Sequence, residues 1–140
     1  MKTNKTKEST NKTWFIDIAG TIVKHIYDDK IDEAIEAKGH DSHLLETPIT
    51  PSIEFLNSIP DNDTIVLTTA RDSKHAPHTI KMLKHYNIRY DRIIFDLRSG
   101  PRYLVNDIKP IGVAQNTKPL KTAFAINVER DKGITEDVPR

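Results

Sequence analysis

Short apolar runs, rich in β-branched and aromatic residues, recur along the chain, and polar or turn-forming residues bound each of them. The five clearest runs span residues 14–18, 64–68, 92–95, 103–105 and 123–128. Runs of this length and composition predict buried strands.

Between these runs lie segments whose apolar residues are three or four positions apart, which is the spacing of one helix face. The first spans residues 30–38 and is followed by Gly39, the second begins at Thr50 with Pro51 in its first turn, and the third spans residues 77–86. A parallel return between strands needs a crossover of about this length. The alternation therefore predicts an α/β fold with a parallel sheet.

The bulk composition fits one domain of ordinary surface chemistry. The chain has 140 residues, of which 21 are basic and 20 acidic, and this balance predicts neither nucleic acid nor a membrane as a partner. It has no cysteine, so disulfides and thiolate sites are excluded and we expect a reducing, cytoplasmic location. No run is apolar enough for a signal or a membrane span. Residues 1–13 are predicted to be a disordered leader and residues 129–140 a solvated polar tail.

Polar clusters follow three of the predicted strands. Asp17 closes the first strand, and Thr21 comes four residues later. The second strand is followed by Thr69 and Arg71, and the fourth strand is followed by Asp107. Ligands of parallel sheets bind beyond the carboxyl ends of the strands. A carboxylate there can be a nucleophile or a metal ligand, and a guanidinium suits phosphate. Taken singly, none of the three clusters is decisive, since each is also compatible with a turn or a helix cap.

Taken together and in this order, the clusters resemble the motifs of the haloacid dehalogenase superfamily. FIDIAGT at residues 15–21 is similar to the first motif, IVLTTAR at 65–71 to the second and YLVNDIKP at 103–110 to the fourth. The resemblance covers residues 14–128. It implies a Rossmann-like three-layer sandwich of about five parallel strands, with a minimal cap inserted at residues 25–50.

The resemblance also implies an enzyme, a phosphohydrolase that acts on a small phosphorylated metabolite such as a sugar phosphate or a nucleotide. Asp17 would attack phosphorus and form an aspartyl-phosphate, and Thr69 would bind the transferring group. The cation of the third motif falls in FDLRSGPR, where Arg98 fits best. Arg102 fits less well, because it begins a predicted strand and is expected at the opposite end of the sheet.

The same resemblance implies a magnesium ion and a set of substrate contacts. The metal ligands would be the Asp17 carboxylate, the Ala19 carbonyl and Asp107, which are the oxygen donors that Mg²⁺ prefers. Thr21 and Arg71 would contact the substrate, and the position of His25 just after the first motif makes it a further candidate for this contact at the mouth of the site. The oligomeric state stays open.

Ala19 departs from the family pattern, which has a second acid at this position. That acid protonates the leaving group, and such catalysis contributes on the order of a hundred- to ten-thousand-fold in rate. Turnover would therefore be impaired. One alternative is a non-catalytic phosphate- or partner-binding domain. Another is carbon–phosphorus bond cleavage as in phosphonoacetaldehyde hydrolases, which share DIAGT but carry a much larger cap.

Four histidines are spaced so that pairs of them share a helix face: His40, His43, His75 and His78. A metal site would need a third ligand that the sequence does not offer, so we expect solvated positions. Phe124 lies in the predicted fifth strand and is expected in the core.

Overall fold

The computed structural model describes residues 11–135 and residue 138. Residues 1–10 of the predicted leader, and residues 136, 137, 139 and 140 of the predicted tail, lie outside the described residues. Thr13, the last residue of the predicted leader, instead belongs to the first strand, which begins there.

The described residues form a mixed α/β fold around a three-stranded parallel sheet, which confirms the predicted class. Its strands are β1 (Thr13–Asp17), β2 (Thr64–Thr68) and β3 (Arg92–Ile94), and they lie side by side in that order. The register aligns Asp17 with Thr68, and Thr68 with Ile94. These three residues therefore mark the carboxyl edge of the sheet.

Three α-helices connect and flank the strands within the described residues: α1 (Asp28–Lys38), α2 (Thr50–Asn57) and α3 (Ala76–His85). Acidic residues in the first turn of α1 and Lys38 in its last turn suit the helix dipole. Helix α2 begins at Thr50, as predicted, with Pro51 in its first turn. A 3₁₀ segment, Gly39–Leu45, links α1 to the chain that leads into α2.

The hydrophobic core lies between the sheet and the helices. Eleven buried apolar side chains form it: Ile16, Ile18, Ile22, Val23, Leu56, Ile59, Ile65, Leu67, Met82, Leu83 and Ile88. Trp14 and Phe55 pack edge to face beside it, with ring centroids 5.4 Å apart. The alternation of buried Ile16 and Ile18 around Asp17 leaves the carboxylate on the other face of β1.

The fourth and fifth predicted strands are absent from the described residues, so the expectation of about five strands is wrong. Residues 103–105 and 123–128 have no regular secondary structure and join no ladder of the sheet. They belong to residues 98–132, a segment that we call the arm. Every side chain of the arm for which the structure describes the exposure is exposed or half-buried. Phe124 is 61% exposed and is not a core residue. A three-layer arrangement stays a prediction.

The predicted polar tail is partly folded onto the body. Gly133 is buried beside Ile49 and Ser52, and the Ile134 amide donates to the Ser52 hydroxyl at 3.0 Å. These contacts correct the prediction of a solvated end for the described part of the tail. Within the described residues, the helices fall short of the length and apolarity that crossing a membrane requires.

Candidate functional site

Asp17 lies at the carboxyl end of β1, next to Thr68 of β2. Its carboxylate accepts a hydrogen bond at Oδ2 from the Thr21 hydroxyl at 3.3 Å. The Asp17 side chain is 37% exposed, so it is held by the protein and still accessible to a ligand. Asp17 and Thr21 therefore lie together at the carboxyl edge of the sheet, and their roles in catalysis and substrate binding stay predictions.

A tight loop after β1 brings Thr21 back to Asp17. The Ile18 carbonyl accepts from the amides of Thr21, Ile22 and Val23, which closes the loop as one turn. Gly20 has φ +87, a left-handed conformation that glycine adopts without steric cost. The local sequence therefore fixes the position of the hydroxyl relative to the carboxylate.

Arg102 supplies the cation of this site. Its Nη1 donates to Asp17 Oδ1 at 2.9 Å and to the Thr68 hydroxyl at 3.2 Å. Arg98, which the sequence favoured, is exposed on the surface. Arg102 precedes a predicted strand that would place it at the opposite end of the sheet, but that strand does not form. Residue 102 is therefore free to lie over the carboxyl edge.

Thr69 and Arg71 do not line the surface beside Asp17. The Thr69 side chain is buried and its hydroxyl oxygen accepts the Arg71 amide at 3.1 Å, so it serves the turn after β2. The hydroxyl that contacts Arg102 belongs to Thr68, one residue earlier. Arg71 is only 3% exposed and its guanidinium is bound by protein groups. The prediction that Arg71 contacts the substrate is therefore wrong.

Arg71 instead forms a buried cluster with Glu46. Its Nη1 lies 2.7 Å from Glu46 Oε2, and its Nη2 donates to Oε1 at 3.0 Å. His78 Nε2 lies 2.8 Å from Oε2, and His78 Nδ1 lies 2.9 Å from the Ser42 hydroxyl. An ionised carboxylate only accepts, so His78 carries its proton on Nε2 and Ser42 donates to Nδ1 when the imidazole is neutral.

The ionised form of Glu46 is favoured in this cluster. Burial on its own raises the pKa of Glu46, but the hydrogen bonds and charges of His78 and Arg71 outweigh it and hold the pKa below its ordinary value. The cluster joins the 3₁₀ segment, the turn after β2 and helix α3. It is a structural support behind the site rather than part of its surface.

The histidines near α3 are mostly buried, against the expectation of solvated positions. His43, His75 and His78 are buried, and only His40 of the four is exposed. His75 Nε2 lies 2.7 Å from Asp32 Oδ1, and this hydrogen bond is the main reason that the pKa of Asp32 is lowered. The sequence pattern could not identify these partners because they lie more than 30 residues away in the chain.

His25 and Asp131 lie beside the loop after β1. The Asp131 amide donates to the Gly20 carbonyl at 2.8 Å, and the His25 amide donates to Asp131 Oδ1 at 2.8 Å. The His25 ring packs edge to face against Tyr27. Asp131 was not predicted as a site residue because it lies in the predicted polar tail. No motif in the surrounding sequence points to a site.

Asp107, the predicted metal ligand, lies in the arm. Its amide binds the Asn106 side chain at 3.0 Å, and its carbonyl accepts the Thr122 hydroxyl. In the part of the chain that the structure describes, no group of three or more histidine or acidic side chains is placed to hold a metal ion. The Arg102 guanidinium that contacts Asp17 is positively charged, and a positive charge at this carboxylate does not suit a metal site. Magnesium binding by Asp17, the Ala19 carbonyl and Asp107 stays a prediction.

Comparison with known proteins shows no family for this chain. No family model matches it, and no curated protein matches it. It is similar to a chain in a solved Pnkp1/Rnl/Hen1 complex, with 16% identity and a TM-score of 0.44. The similarity covers 68% of this chain and 31% of that one, so this chain spans about a third of the length of that neighbour. A likeness of this extent carries no argument about fold or activity.

These findings correct the assignment to the haloacid dehalogenase superfamily, which is wrong. The assignment depended on short motifs, and the strand that should carry the fourth motif is not formed. Polar residues at the carboxyl ends of parallel strands are common to α/β folds in general, because ligands bind there, so they do not identify one family.

The expectation that nucleic acid is not a partner is also withdrawn. The physical reason is that a net charge averages over the chain and hides local excess. The arm alone carries seven basic and three acidic side chains, an excess of four positive charges.

Proposed function

We propose that the chain hydrolyses phosphate monoesters of small metabolites, such as sugar phosphates or nucleotides, with Asp17 as the nucleophile. The observation that carries the proposal is the position of Arg102. Its Nη1 is held by Asp17 and Thr68, whereas its Nε and Nη2 donate no hydrogen bond within the described residues. Those groups form one side of the guanidinium fork, which matches the spacing of two phosphate oxygens.

A phosphate held by Nε and Nη2 would share the Arg102 guanidinium with the Asp17 carboxylate, which contacts Nη1. Asp17 would attack phosphorus, the bond from phosphorus to the leaving oxygen would break, and water would then cleave the aspartyl-phosphate. Two like unit charges 4 Å apart near a protein surface repel by about 4 kcal/mol. Arg102 offsets this repulsion, since it contacts the carboxylate and would contact the phosphate at the same time.

No acid stands at position 19 to protonate the leaving oxygen. We therefore expect esters with activated leaving groups to react fastest, because these groups depart without a proton. A bound Mg²⁺ would add positive charge at the phosphate, and no step of the proposal depends on it.

The test measures release of p-nitrophenol from its phosphate ester, with and without Mg²⁺. Asp17→Asn should abolish turnover, and Arg102→Gln should lower kcat/KM at least tenfold. The matched control is Arg98→Gln, which removes an exposed arginine four positions away and should leave kcat/KM unchanged. Mass spectrometry of the quenched enzyme should find the phosphoryl group on Asp17 in the wild type only.

A different outcome would favour a binding domain without turnover. In that case the wild type would show no more hydrolysis than Asp17→Asn, while phosphate esters would still bind and Arg102→Gln would abolish that binding. The ion pair of Asp17 with Arg102 is the observation that makes this alternative specific. Equal effects of Arg98→Gln and Arg102→Gln would contradict both functions.

A further inference from the structure

Arg130 is a second arginine beside the loop that follows β1. A Cβ atom added to Gly20 would lie 3.4 Å from Arg130 Cγ and 3.9 Å from Arg130 Nε. These are van der Waals distances, so the aliphatic stem of Arg130 lies directly against the backbone of the loop. The arginine is therefore next to the same turn that brings Thr21 back to Asp17.

Two hydrogen bonds hold the backbone beside Arg130 in place. The Asp131 amide donates to the Gly20 carbonyl at 2.8 Å, and Asp131 Oδ1 accepts the His25 amide at 2.8 Å. Both bonds belong to the residue that follows Arg130, so they fix the origin of the Arg130 side chain relative to the loop. A fixed backbone lowers the entropy that a ligand contact has to offset.

The Arg130 guanidinium has no partner among the described residues. The side chain is exposed, and its nitrogen atoms form neither a hydrogen bond nor an ion pair within residues 11–135 and 138. An arginine has five N–H donors and keeps its positive charge at physiological pH. Arg130 is thus available to bind an anion.

The loop also limits the distance between Arg130 and the Asp17 carboxylate. Thr21 follows Gly20 directly, and its hydroxyl donates to Asp17 Oδ2 at 3.3 Å. With one Cα–Cα step between residues 20 and 21, these contacts place Arg130 Nε within about 15 Å of Oδ2. Arg102 contacts the other carboxylate oxygen, Oδ1, at 2.9 Å. The separation is within the length of a small metabolite that has an anionic group at each end.

We propose that Arg130 binds a second anionic group of the substrate, so that the chain selects phosphate monoesters that carry a further phosphate or a carboxylate. This inference rests on the proposed function, which places the phosphate to be hydrolysed on Arg102. Arg130 would contact the substrate away from the phosphorus atom that reacts. A guanidinium forms paired hydrogen bonds with phosphate and with carboxylate, so both groups suit it.

Calorimetry on an Asp17→Asn chain measures binding without hydrolysis of the ligand. Fructose 1,6-bisphosphate should bind about fivefold more tightly than fructose 6-phosphate at low ionic strength, which corresponds to about 1 kcal/mol. Adding Arg130→Gln should remove this preference, whereas adding Arg102→Gln should weaken the binding of both ligands. The second pair of ligands is 6-phosphogluconate and glucose 6-phosphate, which differ by a carboxylate. A preference in either pair that needs Arg130 supports the proposal and identifies the group, and a preference in neither pair overturns it.

The matched control is Lys132→Gln, which removes an exposed cation two positions from Arg130 and should keep the preference. Any cation near the site attracts the more highly charged ligand to some extent. Equal losses of preference in Arg130→Gln and Lys132→Gln would therefore overturn the proposal.

Hydrolysis of p-nitrophenyl phosphate by the wild type tests the proposed function separately, because this ester has a single anionic group. A wild type that does not hydrolyse it, in a chain whose ligand preference still depends on Arg130, would contradict catalysis and support the second anion site.

Discussion

Replacing Glu46 with glutamine would leave the Arg71 guanidinium buried without a counter-charge. In the native structure the Glu46 side chain is fully buried and binds Arg71 through two contacts of 2.7 and 3.0 Å. Removing one partner of a buried, hydrogen-bonded pair costs about 3–5 kcal/mol. Since small domains are stable by about 5–15 kcal/mol, Glu46→Gln should lose a large part of the free energy of unfolding.

Urea denaturation at pH 7 measures this loss directly. The control is Glu33→Gln, because Glu33 and Lys30 form an exposed pair at 3.6 Å, and such pairs contribute about 0–1 kcal/mol. A loss below about 1 kcal/mol for Glu46→Gln would refute the reasoning, since it would mean that water reaches Arg71 and replaces the carboxylate.

The pH dependence gives an independent check on the same cluster. The pKa of Glu46 in the folded chain is below its ordinary value of 4.5, so the unfolded chain binds the proton more tightly. The stabilisation is therefore fully present above the ordinary pKa and is lost as the pH falls through the lower folded pKa. The difference in stability between wild type and Glu46→Gln should shrink in acid, and a constant difference would contradict this assignment.

Three further predictions follow from single contacts. NMR titration of the Asp32 carboxyl should give a pKa below 3.8, and His75→Asn should bring it back toward that value, because the His75 hydrogen bond is the main cause of the shift. Gly133→Ala should cost about 2–4 kcal/mol in urea, since its Cβ would meet side chains at 2.7 and 2.9 Å in a left-handed residue, while Gly39→Ala in open space should cost about 1 kcal/mol. Met82→Ala, at a fully buried position, should cost about 2–5 kcal/mol by the same measurement.

The body of the fold could be predicted because its elements are locally determined. Residues 14–18 and 64–68 are apolar runs that the structure confirms as strands, and α2 begins at its predicted residue because proline favours a first turn. Residues 103–105 have the same composition and form no ladder. Whether an apolar run forms a strand depends on the side chains and strands against which it packs. The sequence of the run does not show which of these are present.

The same limit explains the site. Asp17 and Thr21 could be placed from sequence because a tight loop joins them, and their contact needs no other segment. Arg102 could not be placed, because its position depends on whether residues 103–105 join the sheet. The buried histidines were missed for a similar reason. A polar residue on a short helix looks solvated until its distant carboxylate or hydroxyl partner is known.

The failed strand prediction and the failed placement of the cation concern the same segment. The arm contains residues 103–105, which form no strand, and Arg102, which is the cation of the site. The carboxylate of Asp17 would keep its place on β1 without the arm, but it would lose the positive charge of Arg102, on which the proposed phosphate binding depends. Asp131, near the other end of the arm, meets the loop that positions Thr21. The arm therefore contacts the site from both sides, through the charge beside the Asp17 carboxylate and through the loop that follows it.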